Sequence, residues 1–147
     1  MELESLYREI ILDHYRKPRN HGRLEHADAE VHHTNPICGD EMTLQLRLED
    51  GRIAEVGFVG TGCSISQAAA SVATDLVKGL TVEQAEARIE AFRLLMHGET
   101  EADEEILGDA IAFEGVAKFP ARVKCALLGW MALKDALARA AGGKEER

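Results

Sequence analysis

Cysteine is scarce in this chain of 147 residues: there are three, Cys38, Cys63 and Cys125, and no two form a C-x-x-C pair. An odd, scattered set is a poor basis for a disulfide framework, so reduced thiols and a cytoplasmic location are expected. Positive charge is short as well, with 17 Lys and Arg against 26 Asp and Glu and a formal net charge of −9. Nucleic-acid binding needs a basic face, so this balance argues against it and suits a basic protein partner instead. No apolar run approaches the roughly 18 residues that cross a bilayer. Met1-Glu2-Leu3-Glu4-Ser5 also lacks the basic and apolar regions of a signal peptide. There is no internal repeat and no low-complexity tract. What remains is an ordinary globular composition, 46% apolar and 29% charged. It is long enough for one domain over 1–147 with a single core, expected to be a monomer.

Leu3, Leu6, Tyr7, Ile10 and His14 follow helical spacing, which predicts an amphipathic helix over 2–16, ended by Lys17-Pro18 and Gly22. His14 falls on the apolar stripe and reads as a packed, hydrogen-bonded histidine. Residues 23–37 are polar and irregular, with a short strand around Glu30 to His33. Met42, Leu44, Leu46 and Leu48 then alternate with polar residues as one strand. Asp50-Gly51 is a hairpin signal, because both central residues of that turn need positive φ. The return strand runs from Arg52 to about Gly60, with Ala54, Val56 and Phe58 on one face. Antiparallel pairing therefore brings Cys38 and Cys63 to the same end of a small sheet.

Directly after this strand, Thr61-Gly62-Cys63-Ser64 leads into the small-residue run Gln67 to Ser71, a turn into a helix ending near Lys78 and Gly79. A cysteine at a helix start faces the positive end of the dipole, which favours its thiolate. Thr81-Val82-Glu83-Gln84 is a capping box for a further helix, with Ala85, Ile89, Phe92 and Leu95 inward and Gly98 as its stop. Residues 99–109 carry six acids and no base, a solvated face with helical turns near Ile106 and Ile111. A last helix starts at Phe119-Pro120. It has Val123, Leu127, Trp130 and Leu137 on one apolar stripe and Arg122, Cys125, Gly129, Ala132 and Ala136 on a different face. Residues 142–147 read as a flexible tail.

Cys38 and Asp40 flank a glycine and can project to one side. With Cys63 and Cys125 they make three sulfurs and one carboxylate, a donor set for tetrahedral Zn²⁺ or a thiolate-held iron–sulfur cluster. His32 and His33 are alternative ligands, of which adjacent placement allows one at most.

Tyr7 through Gly22, Asn35-Pro36-Ile37-Cys38-Gly39-Asp40, Gly60-Thr61-Gly62-Cys63-Ser64-Ile65-Ser66 and Phe119-Pro120-Ala121-Arg122-Val123-Lys124-Cys125 occur in this order. Together they resemble the IscU/NifU-like iron–sulfur cluster assembly proteins over nearly the whole chain. The resemblance implies an α+β fold, a small antiparallel β-sheet of about three strands packed by α-helices, with Cys38, Asp40, Cys63 and Cys125 converging at one end. Two features separate the chain from IscU scaffolds: Lys124 stands where those have a histidine before the third cysteine, and the Leu-Pro-Pro-Val-Lys docking motif is missing. A third is an insertion over about 92–113. All three resemble the SufU-type branch. That likeness implies zinc on Cys38, Asp40, Cys63 and Cys125 and sulfur received from a SufS-type cysteine desulfurase, to be passed to downstream cluster-assembly or acceptor proteins. Three thiolates and a carboxylate leave a zinc site formally dianionic, which assigns Arg122 to charge compensation. Cys38, on a glycine-flanked loop, is the expected sulfur acceptor, with Cys63 as a fixed ligand and Asp40 as the most exchangeable one. A scaffold carrying a [2Fe–2S] cluster on the same residues and a structural zinc docking module are the alternatives.

Overall fold

A computed structural model describes residues 2–37, 39–101 and 103–145; side chains at 2–4 and 143–145 are not described. The elements run α1 (Glu2–Arg16), β1 (Ala29–Asn35), β2 (Asp40–Glu49), β3 (Arg52–Thr61), α2 (Ser64–Val77), α3 (Val82–Met96) and α4 (Glu104–Leu107). A 3-10 segment (Gly108–Lys118) and α5 (Pro120–Glu145) complete the chain.

The three strands form an antiparallel meander in the order β1-β2-β3. The β2–β3 turn is as its dipeptide predicts, with φ of 54° at Asp50 and 76° at Gly51. Met42, Leu44 and Leu46 are fully buried and Leu48 nearly so, which confirms the inward face of β2. The inward face of β3 differs from expectation at one residue. Arg47 pairs with Glu55 but Leu48 pairs with Ile53, so Ala54 is the extra residue of a β-bulge. The bulge resets the alternation and turns Ile53, rather than Ala54, into the core beside Val56 and Phe58.

The outer edge of β3 is covered. Phe58 N–H donates to Asn20 O at 3.1 Å and Gly22 N–H to Phe58 O at 2.8 Å, while Ile53 N–H donates to Leu80 O at 2.9 Å. The loop after α1 and the turn after α2 thereby satisfy backbone groups that an open edge would expose.

Helices pack on one side of the sheet. α5 touches β1 and β2 and also α2 and α3. It is consequently buried on more than the single stripe that periodicity predicts: Cys125, Ala126, Gly129, Ala132 and Ala136 are as enclosed as Trp130 and Leu137. Small residues on α2 let it approach. Ala68, Ala69, Ala70, Ser71 and Ala73 are all fully buried. α5 also continues through Gly142-Gly143 to Glu145, a stretch that reads in sequence as tail.

The stretch 92–113 is fastened by aromatics. Trp130 stacks on Phe92 with centroids 4.1 Å apart and planes 7° from parallel, and Phe113 meets Phe92 edge-on at 6.0 Å. Burying each ring contributes about 2–3 kcal/mol. The capping box forms as expected: Gln84 N–H donates to Thr81 Oγ1 at 3.1 Å, and Thr81 N–H to Gln84 Oε1 at 3.0 Å.

His14 fulfils its reading as a packed histidine. It is 1% exposed, with Nδ1 2.8 Å from Ser71 Oγ and Nε2 2.9 Å from Asp109 Oδ2, and so ties α1 to α2 and to the 3-10 segment. No helix among the described residues is long and apolar enough to cross a membrane.

Candidate metal centre

The register sets the site at one end of the sheet. Asn35 is the Cα partner of Asp40 across β1 and β2, and Glu41 that of Thr61 across β2 and β3. The ends of all three strands therefore meet where α2 begins. Cys63 caps α2 with extended backbone, φ −74° and ψ 168°. α5 passes the same end and delivers Cys125 one and a half turns after its start at Pro120.

One oxygen and two sulfurs converge there: Asp40, Cys63 and Cys125 present ligand atoms that all lie within 4.8 Å of one another. Cys63 Sγ is 4.0 Å from Asp40 Oδ2. Around tetrahedral zinc, bond lengths near 2.3 Å to sulfur and 2.0 Å to oxygen place sulfur and oxygen ligands about 3.5 Å apart, and two sulfurs about 3.8 Å apart. The observed spacing needs a contraction of about 0.5 Å at that pair and of at most about 1 Å elsewhere in the cluster, so the donor set fits a thiophilic cation by chemistry and closes on one with modest side-chain movement.

Cys38 lies outside the described residues. Its neighbours do not: Ile37 is 68% exposed and Gly39 has φ of 71°.

Asp40 is 2% exposed and does two things. Its Oδ1 accepts the Cys63 N–H at 2.9 Å, which satisfies a backbone donor at the head of α2 and points Oδ2 towards Cys63 Sγ. Ser66, fully buried, donates to Cys63 O at 3.0 Å with its Oγ 3.9 Å from Cys63 Sγ. The close approach of Asp40 and Ser66 requires glycine at position 62. A Cβ there would lie against Asp40 Oδ1 and 2.6 Å from Ser66 Oγ.

Cys125 is 1% exposed, with Sγ 3.7 Å from Ala121 O and 4.0 Å from Asn35 Nδ2. Asn35, Ser66 and Gly62 were not singled out from sequence as site residues. Asn35 had a signal: it stands four residues after Val31 on β1 and so shares its inward face, a polar residue where the core is expected.

The two histidines considered as ligands are engaged elsewhere. His32 Nδ1 is 2.9 Å from Thr43 Oγ1, and His33 Nε2 is 3.0 Å from Asp135 Oδ2 on α5. Neither belongs to the cluster of Asp40, Cys63 and Cys125, because strand alternation sends His32 outward and the α5 carboxylate captures His33. The Asp135 carboxyl is held below its ordinary range, first by the His33 hydrogen bond and further by Arg139. Arg122 sits in the first turn of α5, exposed, and makes no ion pair among the described residues.

Comparison with known proteins agrees with this geometry. The family described as the NifU-like N terminal domain matches residues 6–138. The chain is 43% identical over 141 residues to the zinc-dependent sulfurtransferase SufU of Bacillus subtilis (strain 168), covering 96% of this chain and 95% of that protein. It is 38% identical over 143 residues to the iron–sulfur cluster assembly scaffold protein IscU of Streptococcus pyogenes serotype M1, covering 97% and 89%. The fold is similar to the crystal structure of the N-terminal part of a nitrogen-fixing NifU-like protein from Brucella abortus. That match has a TM-score of 0.86 and 25% identity, and covers 97% of this chain and 99% of the other. A matching family over most of the length, full-length relatives and the same sheet-and-helix architecture agree: the chain belongs to the NifU-like N-terminal domain family of iron–sulfur cluster assembly proteins, with SufU and IscU among its relatives.

Proposed function

We propose that this protein is a zinc-dependent sulfur acceptor, taking persulfide sulfur from a SufS-type cysteine desulfurase and passing it on. The observation that carries this reading is the convergence of Asp40, Cys63 and Cys125 within 4.8 Å, with Cys38 two residues before Asp40 in the sequence. The similarity to a zinc-dependent sulfurtransferase over nearly the full length supports it.

Cys38, Asp40, Cys63 and Cys125 would hold the zinc, which keeps the thiols deprotonated and protected from oxidation. Cys63 caps α2 and Cys125 lies within α5, both beside buried neighbours, so they act as fixed ligands. Cys38 is the nucleophile. Its thiolate attacks the outer sulfur of the desulfurase persulfide, the S–S bond of that persulfide breaks, and the desulfurase cysteine leaves as thiolate. Cys38 then carries the persulfide, with no net oxidation or reduction. Arg122, exposed one turn before Cys125, offsets the negative charge of the loaded site and of the incoming persulfide. The test is persulfide labelling after incubation with a desulfurase and cysteine. Cys38→Ala should abolish labelling, and undiminished labelling refutes Cys38 as the acceptor.

A second reading is favoured by the likeness to an IscU scaffold: the same ligands assemble and transfer a [2Fe–2S] cluster. Oxygen-free purification with metal analysis separates the two. One zinc in a colourless protein supports relay; iron with labile sulfide in a brown protein supports the scaffold.

A further inference from the structure

Asn35 ends β1 with its side chain turned inward, 7% exposed. Its Nδ2 lies 4.0 Å from Cys125 Sγ, the one acceptor found for that amide among the described residues. A buried amide N–H left with a poor acceptor destabilises the fold. A neutral thiol is a weak acceptor, and an ionised one makes a charge-assisted bond. The amide therefore suits a Cys125 sulfur held on a metal, the state that the proposed zinc site requires.

The sulfur is enclosed as well: Cys125 is 1% exposed. Its Sγ has the Ala121 carbonyl oxygen at 3.7 Å and the Asn35 amide nitrogen at 4.0 Å, and of these two only the amide can donate to a metal-bound sulfur. Cys63 is treated differently. It is partly exposed, and the Ser66 hydroxyl 3.9 Å from its sulfur directs its proton to the Cys63 carbonyl rather than to the sulfur. Because Asn35 and Asp40 are partners on one rung of the sheet, a single strand pair supplies both the carboxylate and this amide.

We infer that Asn35 is a positioning residue of the metal site: it donates an N–H to Cys125 Sγ, holds that sulfur as a retained ligand and lowers its nucleophilicity, which leaves sulfur exchange to Cys38. The inference rests on the reading of this cluster as a metal site. Outer groups of this kind change metal affinity about 10–100-fold.

The test uses the full chain loaded with Co²⁺ as a spectroscopic probe, and Zn²⁺ in competition with a chromogenic chelator. In Asn35→Leu, of similar size and without a donor, the sulfur-to-cobalt charge-transfer bands should move to longer wavelength, because the sulfur lone pairs rise in energy. Zinc should bind about 10–100-fold more weakly, while the visible bands keep tetrahedral intensity. Asn35→Asp, of the same shape and without the N–H, should shift the bands in the same direction and decides the matter if the leucine variant does not fold. Unshifted bands in these variants overturn the inference, even where zinc binding weakens, since a merely structural asparagine would weaken binding without moving them. Failure of the parent chain to take cobalt into a thiolate site overturns the metal reading itself, and this inference with it.

Discussion

Gly62→Ala is the sharpest perturbation of the site, because the new methyl touches no proposed ligand sulfur and yet has nowhere to go. Its Cβ would lie against Asp40 Oδ1, 2.6 Å from Ser66 Oγ and 3.0 Å from Asp40 Cγ. Both neighbours are buried and committed, Asp40 to the Cys63 N–H at 2.9 Å and Ser66 to the Cys63 carbonyl at 3.0 Å. Displacing the carboxylate forfeits a charge-assisted hydrogen bond worth about 1.5–3 kcal/mol, and displacing Ser66 about 0.5–1.5 kcal/mol more. The usual benefit of Gly→Ala in the unfolded chain returns about 0.4–1 kcal/mol. The net loss is about 1–4 kcal/mol, and its midpoint of about 2.5 kcal/mol lowers Tm by about 5–10 °C for a domain of this size. Since Asp40 is also the oxygen donor of the cluster, a 2 kcal/mol loss there weakens zinc binding about thirtyfold. Thermal melts of the metal-free protein and chelator competition of the loaded one measure the two effects. Gly115→Ala, at a glycine whose Cβ would meet nothing within 4 Å, is the control. Parental Tm and parental zinc affinity in Gly62→Ala would refute the packing of this turn.

Three further outcomes are expected. His14→Ala should destabilise the fold by about 3 kcal/mol in urea denaturation, since it empties a buried site and breaks the ties to Ser71 and Asp109; an unchanged midpoint refutes the tie. Asp135 has a depressed pKa in the folded state, so its contribution is present above the unfolded carboxylate pKa and is lost as pH falls through the folded value. With its side chain a third exposed, that contribution is about 0.5 kcal/mol. Asp135→Asn should flatten the acid side of the stability–pH curve by this amount, and an unaltered curve counts against the His33–Asp135 pair. Finally, chelator stripping of the zinc-loaded protein should remove about 4 kcal/mol of stability when free zinc stands a thousandfold above its Kd; a melt indifferent to zinc removal would refute a bound structural cation.

What could be read without coordinates was governed by neighbours in the chain. The Asp50-Gly51 turn, the Thr81–Gln84 capping box and the buried set Ala85, Ile89, Phe92 and Leu95 each depend on residues within a few positions. Alternation along β2 belongs to the same class. It fails at Ala54, because a bulge depends on how two strands settle against each other, and nothing local to Arg52-Ile53-Ala54 announces the extra residue. The twofold burial of α5 escaped for a related reason. Periodicity finds one apolar stripe, whereas a helix between a sheet and two other helices also buries a small-residue face whose alanines carry little pattern.

The sequence by itself supplied the candidate donors, three sulfurs and a carboxylate, and a hairpin whose turn is encoded in two residues and which brings Asp40 to Cys63. Only the tertiary structure decided what surrounds those donors. The Asp40 carboxylate against the Cys63 N–H spans 23 residues, and the Asn35 amide against Cys125 spans 90. His33 is removed from the site by a carboxylate 102 residues away. Ligand type is a property of single side chains and is written in the sequence. Ligand environment is a property of contacts between distant segments, and it exists once the sheet, α2 and α5 have packed.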